Sequence, residues 1–284
     1  MRVGLVQLNG GDDPVVNLVQ SERLVREAAL GGARFVLTPE MTNILCFDRI
    51  WSAQMVHAQD DDPTLARLRD VASECKIWLL IGSLAIKADD ENGRFANRSF
   101  LIGPDGAIVA HYDKIHMFDV DLGGGESYRE SSNYRPGAQV VLADTPVDRI
   151  GLSVCYDIRF PQLYRALAKA GARIITVPAA FTVPTGKAHW HVLLRARAIE
   201  TGCFVLAPAQ CGSNAATHGR PRQTYGHSLA VSPWGEVLAD GGDGPGVTYA
   251  EIDLDEVAAA RGKIPTLAHD RAMGELVIYG GNKT

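Results

Sequence analysis

Three polar residues of different kinds stand where extended segments of this chain end. Glu40 closes Thr38-Pro39-Glu40, Lys114 sits in His111-Tyr-Asp-Lys-Ile-His-Met-Phe-Asp, and Cys155 in Gly151-Leu-Ser-Val-Cys-Tyr-Asp. Together the three side-chain types are sufficient for acyl transfer. A thiol with its ordinary pKa of about 8.5 is only a few per cent ionised at neutral pH. A neighbouring carboxylate can accept its proton at the moment of attack, and a lysine ammonium suits the oxyanion of a tetrahedral intermediate. The backbone N–H of Tyr156, next after the thiol, is the natural second donor. The strand-to-helix turn at Cys155 also puts its sulfur near unpaired helix N–H groups, which favour thiolate. Taken singly, each residue has a plainer reading. A free cysteine is usually a small buried hydrophobe, Glu40 a cap or surface carboxylate, and Lys114 a solvated strand end.

The elements that must position them alternate along the chain. Val3–Leu8 reads as a strand, Pro14–Leu30 as a helix with apolar residues at helical spacing, and Ala33–Thr38 as the next strand. Thr64–Ser73 is helical and Ile77–Ile86 extended. Asn97–Ile102 and Ala107–Tyr112 flank Gly-Pro-Asp-Gly, a tight hairpin turn. Arg149–Val154, Ala172–Val177 and Cys203–Pro208 read as strands, with helices over Phe160–Ala170 and Gly186–Thr201. Strands at Gly226–Val231, Glu236–Ala239 and Val247–Ile252 and a short helix near Leu254–Arg261 complete the pattern. Gly123–Pro136, Gly212–Gln223 and Asp240–Gly246 read as loops, suited to substrate access.

An internal echo links the two halves. Arg2-Val-Gly-Leu matches Arg149-Ile-Gly-Leu, and Gly32-Ala-Arg-Phe-Val-Leu-Thr-Pro matches Gly171-Ala-Arg-Ile-Ile-Thr-Val-Pro. Two strand–helix–strand units with the same punctuation imply two sheets related by a pseudo-twofold. Ligands of such sheets bind outside the carboxyl ends of the strands, which is where Glu40 and Cys155 fall. No linker divides the halves, so a single domain over residues 1–284 is expected.

Composition excludes several classes. The chain has 284 residues, 46% apolar and 21% charged, as a soluble globular protein has. No apolar stretch approaches the ~18 residues of a membrane span. The net charge of −5 with scattered basic residues argues against nucleic acid. Five cysteines without C-x-x-C or metal-ligand spacing imply free thiols in a reducing, cytoplasmic setting. There is no P-loop, dinucleotide fingerprint, G-x-S-x-G or papain-type cysteine signature, and no cofactor or metal is expected. His189 and His191 lie on different helix faces, a poor metal pair, and are expected to be structural.

The residues also carry a family resemblance. Thr38-Pro-Glu, Tyr112-Asp-Lys-Ile-His-Met-Phe-Asp, Cys155-Tyr-Asp-Ile-Arg-Phe-Pro-Gln-Leu-Tyr-Arg, the runs at 180–190 and 193–200, and Tyr225-Gly-His-Ser at 225–228 occur in the right order over the whole chain. The sequence resembles the nitrilase superfamily of carbon–nitrogen hydrolases. Within it, the chain is similar to the Nit subgroup, amidases for deaminated glutathione and for ω-amides of α-keto acids. Arg-x-x-Tyr-Gly-His-Ser at 222–228 resembles the deaminated-glutathione branch. The resemblance implies a four-layer α-β-β-α sandwich that pairs into at least a homodimer. It implies Glu40 as general base, Lys114 as oxyanion stabiliser and Cys155 as nucleophile. Glu130, sixteen residues past Lys114, matches the family's second glutamate better than Glu126 and would hold the lysine. One departure is His191, where many relatives carry glutamate, which leaves substrate choice open. The function expected is hydrolysis of a small-molecule carboxamide to carboxylate and ammonia through a Cys155 thioester. Arg159 is a candidate for the substrate's carboxylate, against the alternative of a surface salt bridge. Nitrile or N-carbamoyl amino acid hydrolysis on the same triad, and a non-catalytic binding protein on this fold, are the rivals.

Overall fold

The computed structural model describes residues 1–123 and 126–279. The first half contains strands β1 (Arg2–Gln7), β2 (Phe35–Leu37), β3 (Trp78–Lys87), β4 (Phe95–Ile102) and β5 (Ile108–Asp113), then a ribbon of β6 (Asp119–Gly123) and β7 (Glu126–Arg129). The second half contains β8 (Leu142–Asp144), β9 (Arg149–Leu152), β10 (Ile174–Thr176) and β11 (Phe204–Ala207). A second ribbon, β12 (Cys211–Asn214) and β13 (Arg222–Tyr225), precedes β14 (Leu229–Val231), β15 (Val237–Asp240) and β16 (Gly246–Glu251). The helices are α1 (Pro14–Leu30), α2 (Arg49–Met55), α3 (Pro63–Cys75), α4 (Pro161–Lys169), α5 (Val183–Thr201) and α6 (Asp255–Lys263).

Two six-stranded sheets have mirrored plans. One runs β16-β1-β2-β3-β4-β5 and the other β8-β9-β10-β11-β14-β15. In each, three strands are parallel and their flanking neighbours antiparallel. The echo in the sequence is therefore an echo in topology, with α1 and α4 as the matched crossovers. Gly4 and Gly151 explain its conservation of pattern within the chain. A Cβ on Gly4 would stand 3.0 Å from Ala28 Cβ of α1, and one on Gly151 would stand 3.0 Å from Leu167 of α4. Each glycine lets a crossover helix lie close on its strand. Gly32 and Gly171, with φ of +86° and +98°, end the two helices in backbone that glycine adopts without penalty.

Alternation along the strands assigns the layers. Phe35 and Leu37 join Ile150 and Leu152 in the core between the sheets, while Val36 packs outward with Leu24 and Val25 of α1 and Leu68 of α3. Helices thus cover the outer faces and the sheets face each other, the four-layer arrangement expected. The differences from expectation are local. Helix α2, capped by Asp48 accepting from the Ile50 and Trp51 N–H groups, has no signal in the sequence because it buries only Ser52. Half of the segment 123–136, read as a loop, forms β7 and a 3₁₀ turn at Glu130–Ser132; Gly124 and Gly125 within it lie outside the described residues. The loop read at 212–223 is largely bracketed by β12 and β13.

Gly82 of β3 is the tightest approach near the strand ends. A Cβ there would stand 1.9 Å from the Thr38 carbonyl oxygen and 2.4 Å from Pro178 Cβ of the other sheet. Both contacts lead directly to Glu40 and Ala180. Gly82→Ala is predicted to cost at least about 1–3 kcal/mol by overpacking, read as a lower urea midpoint, and to reduce turnover in the folded fraction.

Candidate active site

Glu40 follows β2, Lys114 follows β5 and Cys155 follows β9, and the three side chains meet at one cavity. Lys114 Nζ donates to Glu40 Oε1 at 2.9 Å and to both oxygens of Glu130 at 2.9 and 2.8 Å. Glu40 Oε2 accepts from the Ala180 N–H at 2.8 Å, and Glu130 Oε2 from the Phe118 N–H at 2.7 Å. Asn97 of β4 links the carboxylates, donating to Glu40 Oε1 at 2.9 Å and to Glu130 Oε1 at 3.3 Å. Lys114 and Glu40 are almost completely buried, at 2% and 4% exposure. A buried charge is tolerated when its partners and hydrogen bonds are complete; here two carboxylates, two backbone N–H groups and an amide supply them.

The charges set the protonation states. Burial pushes the Glu40 carboxyl up, but Lys114 and hydrogen bonds from Cys155 and Lys114 outweigh it and hold the carboxyl below its ordinary value. Burial pulls the lysine down, yet Glu130 and Glu40 hold it well above the usual range. Cys155 differs from the expectation of a stabilised thiolate. It is 7% exposed, and burial followed by the negative charge of Glu40 pushes its thiol well above the usual value, with Lys114 offsetting only part. The helical N–H effect fails because Cys155 opens only a five-residue 3₁₀ turn, Cys155–Arg159. The resting site is a neutral thiol beside an ionised carboxylate.

The turn itself is held in an uncommon conformation. Cys155 has φ of +51° and Met41, next to Glu40, has φ of +58°, both in a region non-glycine residues rarely adopt. Asp157 holds the Cys155 turn. Wholly buried, it accepts from the Val154 N–H at 2.9 Å, the Tyr112 hydroxyl at 2.7 Å and the His116 N–H at 3.1 Å, and contacts His116 Nδ1 at 2.7 Å. It therefore ties the thiol's turn to the segment that carries Lys114. The Tyr156 N–H has no backbone acceptor among the described residues, which leaves it available to a ligand.

The cavity, about 140 Å³, is lined by Glu40, Lys114, Glu130 and Cys155. Phe47, Phe118, Tyr128 and Tyr156 form its aromatic wall, and Arg129, Arg220 and Arg222 also line it. A cavity of about this size takes up a benzene-sized group. Arg159 does not line it. Its guanidinium lies one layer out, 5.7 and 5.6 Å from the Tyr156 and Phe181 ring centroids and 3.3 Å from His189 Nδ1. The arginines that do line the cavity are Arg129, Arg220 and Arg222. Arg222 donates to the Ala180 carbonyl, and its buried Nε has no partner among the described residues. Asn97, Asp157 and Arg220 were not distinguished by sequence reasoning. Asp157 stood in the quoted Cys-Tyr-Asp run and Arg222 in the quoted Arg-x-x-Tyr-Gly-His-Ser run, without roles; Asn97 is one inward position on a strand and carries no local signal. The side chain of Glu126 lies outside the described residues.

Comparison with known proteins places these features in context. The carbon–nitrogen hydrolase family pattern matches residues 2–262. A deaminated glutathione amidase of Yersinia enterocolitica is 41% identical over 278 residues, 97% of this chain and 94% of that protein. The crystal structure of the C. elegans NitFhit protein superposes with a TM-score of 0.87 at 34% identity, covering 95% of this chain and 65% of that one. That of Saccharomyces cerevisiae Nit3, a member of branch 10 of the nitrilase superfamily, gives 0.82 at 28% identity over 93% and 94% of the two chains.

Two outcomes test the geometry. Asp157→Asn replaces one accepting carboxylate oxygen with an NH2 donor, which then faces donors in place of an acceptor, and is predicted to lose about 1–3 kcal/mol of stability in denaturant unfolding. Glu40 must be ionised to accept a proton, and its carboxyl lies below the ordinary 4.5. Activity toward a substrate amide is therefore predicted to hold its plateau across neutral pH and to fall only below that value, with no rise at alkaline pH as a thiol ionises.

Proposed function

The chain belongs to the carbon–nitrogen hydrolase family, and on that premise we propose that it hydrolyses a small-molecule carboxamide through a thioester on Cys155. The substrate class we infer is deaminated glutathione or a related ω-amide of an α-keto acid, as the similarity to a deaminated glutathione amidase supports. The observation that carries the reaction is the meeting of Cys155, Glu40 and Lys114 at one cavity, with Lys114 bonded to the carboxylate; burial raises the thiol while the lysine lowers Glu40.

In this reading the sulfur attacks the carbonyl carbon as its proton passes to Glu40, so no free thiolate accumulates. The new oxyanion is met by Lys114 and the Tyr156 N–H. An ammonium has three N–H donors, and its contacts to Glu40 and to both oxygens of Glu130 occupy them at rest. The oxyanion therefore takes over one of the contacts to Glu130, while Glu130 keeps the lysine aligned. Collapse breaks the C–N bond, and Glu40 returns the proton to the departing nitrogen. Glu40 then deprotonates water, which attacks the thioester; the thiol leaves with its proton restored. Ammonia is the product only for a primary amide. The amides of deaminated glutathione are N-substituted, so its leaving group is an amine, a correction to the expected product. The cationic lining of Arg129, Arg220 and Arg222 supports an anionic substrate, with Arg222 as the donor to its carboxylate or keto oxygen.

The two sheets bury one shared core, which supports reading the chain as one domain. Five free thiols support a reducing compartment, cytoplasmic in our reading, and among the described residues no helix is long and apolar enough to cross a membrane. Val192 and Ile199 on α5, and Leu276, Ile278 and Tyr279 near the C-terminal end, are exposed; they support a homodimer or higher oligomer.

Purified protein is to be assayed with deaminated glutathione, α-ketoglutaramate, simple nitriles and N-carbamoyl amino acids. Turnover of the first two is expected, with Cys155→Ala lowering kcat roughly 10⁴-fold or more. Unchanged turnover in that variant, or turnover of nitriles alone, contradicts the reading. Arg222→Gln is predicted to lower kcat/KM about 10- to 100-fold, mainly through KM.

A further inference from the structure

A second polar cluster lies outside the cavity. His191 of α5, His227 just after β13 and Asp240 at the end of β15 each offer one ligand atom, and these atoms lie within 4.8 Å of one another. His191 Nε2 is 3.0 Å from Asp240 Oδ2, and His227 Nδ1 is 2.8 Å from Asp240 Oδ1. None of the three lines the catalytic cavity. His189 and His191, on different faces of the helix, have different partners. His189 contacts Arg159, while His191 meets residues brought from two other elements.

We propose that His191, His227 and Asp240 form a binding site for one divalent transition-metal ion of the zinc type, with water completing the coordination. Two imidazoles and one carboxylate are a recurrent three-ligand set for such ions. Bonds of about 2.0–2.1 Å in a tetrahedron put ligand atoms roughly 3.3 Å apart. The two imidazole–carboxylate separations require only small side-chain rotations to reach that spacing. The surroundings are built as an outer shell is. The other ring nitrogen of His227, Nε2, is 3.2 Å from Asp243 Oδ1, the arrangement in which a ligating histidine donates to a carboxylate. The backbone of His227 is fixed at φ +57°. Its N–H donates to the Gly242 carbonyl and its carbonyl accepts from Trp190 Nε1, both at 2.8 Å. The Gly242 N–H in turn donates to Asp240 Oδ1 at 2.9 Å. The histidines are one-third and one-fifth exposed, so an ion can enter from solvent. A bound ion would join α5, whose first turn contributes Thr185 to the cavity wall, to the end of the ribbon that carries Arg222.

The test uses the full chain, stripped of metal and titrated with Zn(II) in competition with a chromophoric chelator, and with Co(II) for its electronic spectrum. One equivalent should bind, with the Co(II) bands of nitrogen and oxygen ligands and no sulfur-to-cobalt charge-transfer band. His191→Ala and His227→Gln should each abolish that equivalent. Asp243→Asn should weaken it about 10- to 100-fold. His191→Ala alters a partly exposed helix position and should keep the far-ultraviolet circular dichroism and turnover of the wild type. The thermal midpoint should rise with Zn(II) in the wild type and not in His191→Ala. No stoichiometric binding at micromolar Zn(II), equal affinity in His191→Ala, or a thiolate band would overturn the proposal and leave the cluster a hydrogen-bonded clasp.

Discussion

The structure depends on one ammonium bonded to two carboxylates away from water. Lys114 between Glu40 and Glu130 makes an anionic group tolerable beside a thiol that burial keeps neutral. Without the lysine, the two carboxylates would repel each other and Glu40 would be pushed up by burial, losing its capacity as a base. With it, the proposed mechanism has a proton on sulfur and a vacancy on oxygen, its two requirements for attack at neutral pH. The backbone N–H groups of Ala180 and Phe118 and the amide of Asn97 complete the arrangement, so the charges are fixed in place before a substrate arrives.

The fold supplies this set asymmetrically from a symmetric plan. Glu40 and Ala179 occupy matching positions after Thr38-Pro39 and Val177-Pro178, and Cys155 and Leu8 matching positions beyond the Arg-x-Gly-Leu strands. Each half thus presents the same two strand ends, but one retains the carboxylate and the other the thiol. Apolar side chains at the remaining two ends, Leu8 and Ala179, belong to buried core clusters. The close approach at Gly82 brings the Thr38 and Pro178 ends together, so the two halves can share one reaction centre.

How much of this was legible in the sequence follows from the range of each signal. Helix α1 has the bounds its spacing and Pro14 predict, because a buried stripe and a terminal proline are local features. The strand ends that carry Glu40, Lys114 and Cys155 were legible for the same reason, and the family motifs brought the three together on the page. The charge state of Cys155 was not legible: it depends on burial and on Glu40, contributed by another sheet. Asp157, Asn97 and Arg222 act across long separations in sequence, and His191 finds Asp240 only once β15 is in place. Strand β6 does alternate, Val120 and Leu122 half-buried between exposed Asp119 and Asp121, but the run is too short to stand out from its surroundings.

The most direct measurement of the central claim is the charge on sulfur in the resting protein. Thiolate absorbance in the ultraviolet, taken as the difference between wild type and Cys155→Ala across neutral pH, isolates that one group. The account predicts no difference at neutral pH, because the proton rests on Cys155 while Glu40 is ionised. A thiolate signal already present there would contradict it, and would assign the resting negative charge to sulfur in place of carboxylate.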